Sequence, residues 1–153
     1  VGARRTAGAF AALAVALAVA GCGQPDTTFP AACHEGTRAI QKALEKAPAP
    51  VALADGTTLS SCINRARDGA DLQTVGAFYT AVADGLAARV TTSDAAALRL
   101  GYLLGATRKG ARTTNGIHEE LVRRLEQSAR VDGATPARQA AFRRGLAAGG
   151  QHG

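Results

Sequence analysis

Residues 71–90 read DLQTVGAFYTAVADGLAARV, and within them Leu72, Val75, Phe78, Tyr79, Val82, Leu86 and Val90 recur at intervals of three and four. That period is the one that gathers side chains on a single face of an α-helix, so the stretch is expected to be a helix with one buried stripe. Downstream, Ser93 followed by Asp94 caps a second helix to about Lys109, with Leu98, Leu100, Leu103 and Leu104 spread around its circumference; it is expected to be the most buried helix. Its Gly101 and Gly105, four apart, form a flat groove suited to tight crossing by another helix. Residues 116–131 supply a third, with Ile117, Leu121, Val122 and Leu125 as its buried face. Its acids stand near the start and its arginines near the end, in line with the helix dipole, and Glu119 with Arg123, Glu120 with Arg124 and Glu126 with Arg130 are spaced for ion pairs. Thr135-Pro136 opens a last helix that Gly149-Gly150 should end. Upstream, a helix is expected from about Pro30 to Ala47, closed by Pro48 and Pro50. Asp55-Gly56 makes a turn or minimal hairpin within residues 51–60, and Ser60 caps a short helix through Arg67. The expected fold is all-α, a compact bundle of about five or six helices with no internal repeat.

The N-terminal 22 residues have a different character. Arg4 and Arg5 precede the uncharged run FAALAVALAVA, residues 10–20, in the layout of a secretory signal peptide. The run is too short for a permanent membrane span and is followed by Gly21, Gln24 and Pro25. It closes on Val19-Ala20-Gly21-Cys22, which resembles the lipobox of bacterial lipoproteins: a branched apolar residue, two small ones, and the cysteine that takes the lipid. The resemblance implies cleavage before Cys22, acylation of its sulfur, and a position at the outer face of the cytoplasmic membrane. Arg4-Arg5 fits a twin-arginine signal less well, since Thr6-Ala7-Gly8 follows it. Val1 is read as a literally translated start codon. Arginine outnumbers lysine fifteen to three, and alanine and glycine abound, as in a genome rich in G and C. The stretches LADGTTLSSC, residues 53–62, and IHEELVRRLE, residues 117–126, are similar to uncharacterised actinobacterial lipoproteins, a resemblance that brings no activity with it.

The expected organisation is thus a signal peptide over 1–21, a lipidated cysteine and polar spacer over 22–30, and one helical domain over 31–153. With Cys22 lipidated, Cys33 and Cys62 remain, an even number in an oxidising compartment, and they are expected to bond to each other. Closing a loop of about 30 residues should stabilise the domain by roughly 3 to 4 kcal/mol. That matters in a chain with 4% aromatics, no Trp and no Met.

Several catalytic readings fail on spacing. His34-Glu35 and His118-Glu119 begin like the zinc-protease helix, but Arg38 and Val122 stand where the second histidine belongs. His118 is expected in a first helical turn, partly exposed. Cys33 beside His34 is no thiol–base pair, since neighbours on a helix diverge by about 100° and Cys33 has an oxidised partner to hand. Ser60, Ser61, Ser93 and Ser128 lack the glycine-flanked setting of a hydrolase nucleophile. GATRKGAR, residues 105–112, has phosphate-loop glycines without the Lys-Ser or Lys-Thr, and it follows a helix. The acid pairs Glu119-Glu120 and Asp68 with Asp71 are accounted for by a helix dipole and a turn. No metal, cofactor or catalytic set is expected.

The formal charge is +6, or +4 without Arg4 and Arg5, and it is uneven: residues 22–98 hold six bases and eight acids, residues 99–153 ten bases and four acids. Export and scarce aromatics argue against nucleic acid as the partner. The expected function is a non-catalytic binding or interaction module of the cell envelope. Its partner is an envelope protein, or else an anionic wall polymer or anionic lipid; for the polymer or lipid the expected contacts are Arg108, Lys109, Arg112, Arg143 and Arg144, which lack obvious ion-pair partners in the sequence. The alternative is a small envelope enzyme whose site gathers His118, Glu119, Glu120 and Tyr102.

Overall fold

The computed structural model describes Gly2 and residues 28–114 and 116–153. The expected signal segment, Cys22 and most of the spacer lie outside these residues. The described residues form an all-α bundle: a 3-10 turn at Ala31–His34, then α1 (Thr37–Leu44), α2 (Leu59–Arg65), α3 (Gly69–Ala87), α4 (Asp94–Ala111), α5 (Glu119–Ser128) and α6 (Pro136–His152). Among the described residues the only extended pairing is one antiparallel bridge, Ala52 with Thr58. It brackets a turn in which Gly56 has φ +87° and both Asp55 carboxylate oxygens accept from Thr57, at 2.8 and 2.9 Å. The Asp55-Gly56 signal therefore makes a simple turn.

Helix starts obey the capping signals, with one change. Asp68, Ser93 and Thr135 accept the backbone N–H of Asp71, Ala96 and Arg138 respectively. For α2 the cap is Thr58, whose Oγ1 accepts from Ser61 N at 3.3 Å, and not Ser60. Ser60 is buried and its hydroxyl donates to the Gly153 carbonyl. The single helix expected over 30–47 is two pieces, because Gly36 has φ +87° between them, a conformation open to glycine and closed to a continuing helix. α5 begins at Glu119, three residues later than the sequence pattern suggests, because Gly116 has φ +84°. That displaces Ile117 from the expected buried face: it is 55% exposed.

Eleven of the eighteen residues of α4 are buried, more than in any other helix, and Tyr79, Tyr102, Leu100, Leu103, Leu59 and Ile63 are among the largest fully buried side chains. α4 and α6 run parallel. Gly145 lies against Leu98 and Tyr102 backbone, Gly101 against Phe142 and Leu146, Gly149 against Tyr102 and Ala106, and Gly105 against Leu146, Gly149 and Gly150. At each of these four glycines a Cβ would overlap backbone of the facing helix. Gly149-Gly150 therefore does not end α6, which continues to His152; Gly149 is a contact point. On the other side Gly110 of α4 lies against Ser60 and Ile63 of α2.

Cys33 and Cys62 form a disulfide, with Cα atoms 5.7 Å apart and both residues buried. It ties the 3-10 turn to α2 across 29 residues of sequence.

Gly101→Ala or Gly145→Ala should lower the urea midpoint by the equivalent of about 1 to 3 kcal/mol or more, since only backbone movement relieves the overlap. Gly76→Ala on α3, where a Cβ meets open space, should raise stability by about 0.5 to 1 kcal/mol. Replacing Cys33 and Cys62 together by alanine should cost about 3 to 4 kcal/mol in the same assay, on the loop-entropy account.

Candidate functional site

α3 and α5 face each other across a groove of about 590 Å³, and at its Asp84 end the Ser128 hydroxyl donates to Asp84 Oδ1 at 2.7 Å. Its α3 wall is Leu72, Gly76, Ala77, Thr80 and Ala81, a shallow surface of small side chains one and two turns apart. The other wall is Ile117 with Leu121, Glu120 and Arg124 of α5. Ile117 is the one large hydrophobic side chain exposed among the described residues. From Leu72 to Asp84 the groove runs along α3 for about 18 Å.

The charges beside the groove are committed to neighbours. Glu120 accepts from Arg123 through Oε2 at 2.5 Å and from Arg124 through Oε1 at 2.7 Å. Hydrogen bonds from Arg124 and then Arg123 hold its carboxyl below the usual carboxylate range. Of the pairs expected from spacing, Glu120 with Arg124 is present. Glu126 instead meets Arg108 of α4 at 2.7 Å, so the partner of Glu126 lies across the bundle. At the N-terminal ends of α4 and α6, Arg138 meets Asp94 at 3.3 Å.

The five candidate basic residues do not form one cluster. Arg108, Lys109 and Arg112 lie at the C-terminal end of α4, where Arg108 pairs with Glu126 and Lys109 donates to the Gln151 carbonyl at 2.9 Å. The expectation that these two lack partners is corrected: α5 packs against α4 and brings Glu126 to Arg108, and the parallel packing of α4 and α6 brings the Gln151 carbonyl to Lys109. Arg143 and Arg144 are exposed on α6 and stand eight residues or so before Gln151, about 12 Å back along that helix. Arg112 is exposed at the end of α4.

The four residues of the enzyme alternative are spread apart in role and place. Tyr102 is fully buried against Gly145 and Gly149 and its phenolic oxygen accepts from Val51 N at 3.0 Å. Burial raises its pKa, partly countered by that hydrogen bond. His118 is 1% exposed, not partly exposed as its helix-start position suggests. It sits one residue before α5, and its Nε2 lies 2.8 Å from the Ala66 carbonyl at the end of α2. Glu119 and Glu120 are on the surface of α5. Among the described residues no group of three His, Cys, Asp or Glu side chains could hold a metal ion, and no helix is long and apolar enough to cross a membrane.

The groove is not legible in the sequence. A signal is present in the small residues on α3 at Gly76, Ala77, Thr80 and Ala81, a second face beside the apolar stripe, but nothing in the sequence says that α5 stands off from it.

Tyr102 has a structural task that a hydroxyl deletion isolates. Tyr102→Phe should leave the buried Val51 N–H without an acceptor and cost about 1 to 3 kcal/mol in urea unfolding, with the far-UV helical signal unchanged.

Compared with protein-family models, curated proteins and solved structures, the chain matches none, so its function is read from its own residues.

Proposed function

We propose that the chain is an exported, lipid-anchored module of a bacterial envelope, held through Cys22 at the outer face of the cytoplasmic membrane, that binds a partner protein and performs no chemistry of its own. The observation that carries the binding reading is the groove between α3 and α5. It pairs a strip of small side chains on α3 with Leu121 and the exposed Ile117, is edged by Gln73, Asp84, Glu120 and Arg124, and runs for about three helical turns, the proportions of a helix-in-groove contact. The small side chains of its α3 wall, Gly76, Ala77, Thr80 and Ala81, suit the close approach of a second helix, as the glycines of α4 and α6 do inside the bundle. The occupant on this reading is an apolar helical segment of an envelope protein. Glu120 and Asp84 at its edge already hold donors, which favours recognition over proton transfer.

The Cys33–Cys62 disulfide supports the exported address, because cytosolic thiols are kept reduced. The arginine-bearing N-terminal segment and Val19-Ala20-Gly21-Cys22 support the anchor. A short spacer keeps the domain near the bilayer, where exposed Arg112, Arg143 and Arg144 add a non-specific attraction to anionic lipid or wall polymer, about 1 kcal/mol for each residue that reaches the surface.

Two measurements test this. Mass spectrometry of the N-terminal peptide, from protein taken from bacterial membranes, should find an acylated Cys22 as the first residue; retention of residues 1–21, or an unmodified Cys22, overturns the anchor. A photo-crosslinking residue at Thr80 in the groove should capture a defined partner at the cell surface, and one at exposed Ala147 of α6 should not. Equal capture from both positions, or none from Thr80, overturns the groove as the interface.

A further inference from the structure

His118 is built to be neutral. A carbonyl oxygen only accepts, so its contact with Ala66 requires the ring proton on Nε2. Nδ1 is then a bare lone pair, and it is buried with no hydrogen-bond partner among the described residues. A second proton would have to sit there, creating a buried cation with a donor that has nothing to donate to. The surrounding charges make this worse. Arg67, on the connection from α2 to α3, repels the charged ring, and the positive end of the α5 dipole begins at the next residue. Of the acids nearby in the chain, Glu120 is held by Arg123 and Arg124, Asp68 accepts from the Asp71 backbone, and Glu119 lies on the surface beside Gly116. Arg65, in the last turn of α2, has an interaction of its own. Desolvation first, and Arg67 after it, hold the His118 pKa below its ordinary value, against the opposing effect of the Ala66 carbonyl.

The ring also occupies a mechanical position. The connection between α4 and α5 is tied to the end of α2 at two points, Asn64 Nδ2 to Thr113 Oγ1 and His118 to Ala66. Ile117 precedes the histidine and the first turn of α5 follows it, so this end of the α5 wall hangs from the anchor, while Leu125, Glu126 and Ser128 hold the far end of the helix. We propose that His118 is a proton-operated latch on the groove: the neutral ring pins the start of α5 to the end of α2, and the protonated ring leaves its site and takes Ile117 and the first turn of α5 away from α3. Resting on the reading of the groove as a binding surface, the latch makes partner binding weaken on acidification.

The released ring titrates near its ordinary value of about 6.5 and the latched ring lower, so the released state binds more protons in the interval between the two. The opening equilibrium is flat above that interval and rises by up to about tenfold per pH unit as pH falls through it.

The latch is measurable without any partner. The chain has three isoleucines, so the Ile117 methyl can be followed by NMR with buried Ile40 as the reference, together with hydrogen exchange at the Val122 amide, which donates to the His118 carbonyl at 3.1 Å. From about pH 7.5 to about pH 5 the Ile117 methyl should shift with the His118 ring titration, the Val122 protection factor should drop about tenfold or more, and Ile40 should stay still. His118→Gln, which keeps a donor for Ala66 and does not titrate, should abolish both responses. Arg67→Gln should move the midpoint to higher pH, which a purely structural histidine would not produce, and it serves where His118→Gln fails to fold. A ring that titrates at its ordinary value while Ile117 stays still, or an Ile117 response that survives in His118→Gln, overturns the latch. Loss of crosslinking at Thr80 would strike the groove reading alone and leave these observables untouched.

Discussion

The contact on which this bundle depends is the backbone-to-backbone approach of α4 and α6. Where Gly101, Gly105, Gly145 and Gly149 meet, no side chain intervenes, and two peptide ladders come as close as van der Waals radii allow. Such proximity multiplies weak dispersion contacts over the length of two long helices, which offsets the shortage of large aromatic side chains. It also fixes register, since sliding one helix by a residue would drive a side chain into a carbonyl. α4 thereby becomes the centre of the molecule, with α6 on one face and α2 on another through Gly110.

The parallel sense of that pair organises the charges as well. Two helix C-termini at one end of the bundle concentrate partial negative charge, and Lys109 on the Gln151 carbonyl answers it; at the opposite end Arg138 and Asp94 sit across the two N-termini. Much of the basic character of the C-terminal part therefore has a local cause. Arg108 and Lys109 serve the fold, and exposed Arg112, Arg143 and Arg144 are distributed over the surface. Residues that look alike in a charge count separate once geometry assigns each its neighbours.

The all-α class, most helix starts and the disulfide are legible because each rests on a local or compositional rule: a 3.6-residue period, an oxygen side chain before a helix, and the two cysteines that remain when Cys22 is expected to carry lipid. Gly101 and Gly105 are legible as a crossing point, but their partner is not, because Gly149 looks like a stop signal to any local rule and becomes a contact only when α6 is laid on α4. Gly36 and Gly116 mark two further failures of the same kind, since a glycine inside a helical pattern does not announce whether its φ will be positive. The candidate site is the least legible part. Ile117 fits the apolar pattern of α5 and belongs by period to the core, yet Gly116 turns it outward. His118 looks like a surface residue and is among the most buried, because the partner that buries it, the end of α2, is 52 positions away in sequence.

The order in which the chain can complete itself is set by the same topology. Parallel neighbours need a crossing element between them, so α4 waits for α5 to traverse the bundle and for residues 136–152 to return alongside it. The Ser60 hydroxyl reaches a carbonyl 93 residues further on. A polypeptide that emerges N-terminus first holds its most buried helix half uncovered until residues 136–152 have followed. Non-local closure of this kind keeps a chain from locking early. The pairing of α4 with α6 thus acts as a timing device, deferring the finished core until the last of these helices is free to dock.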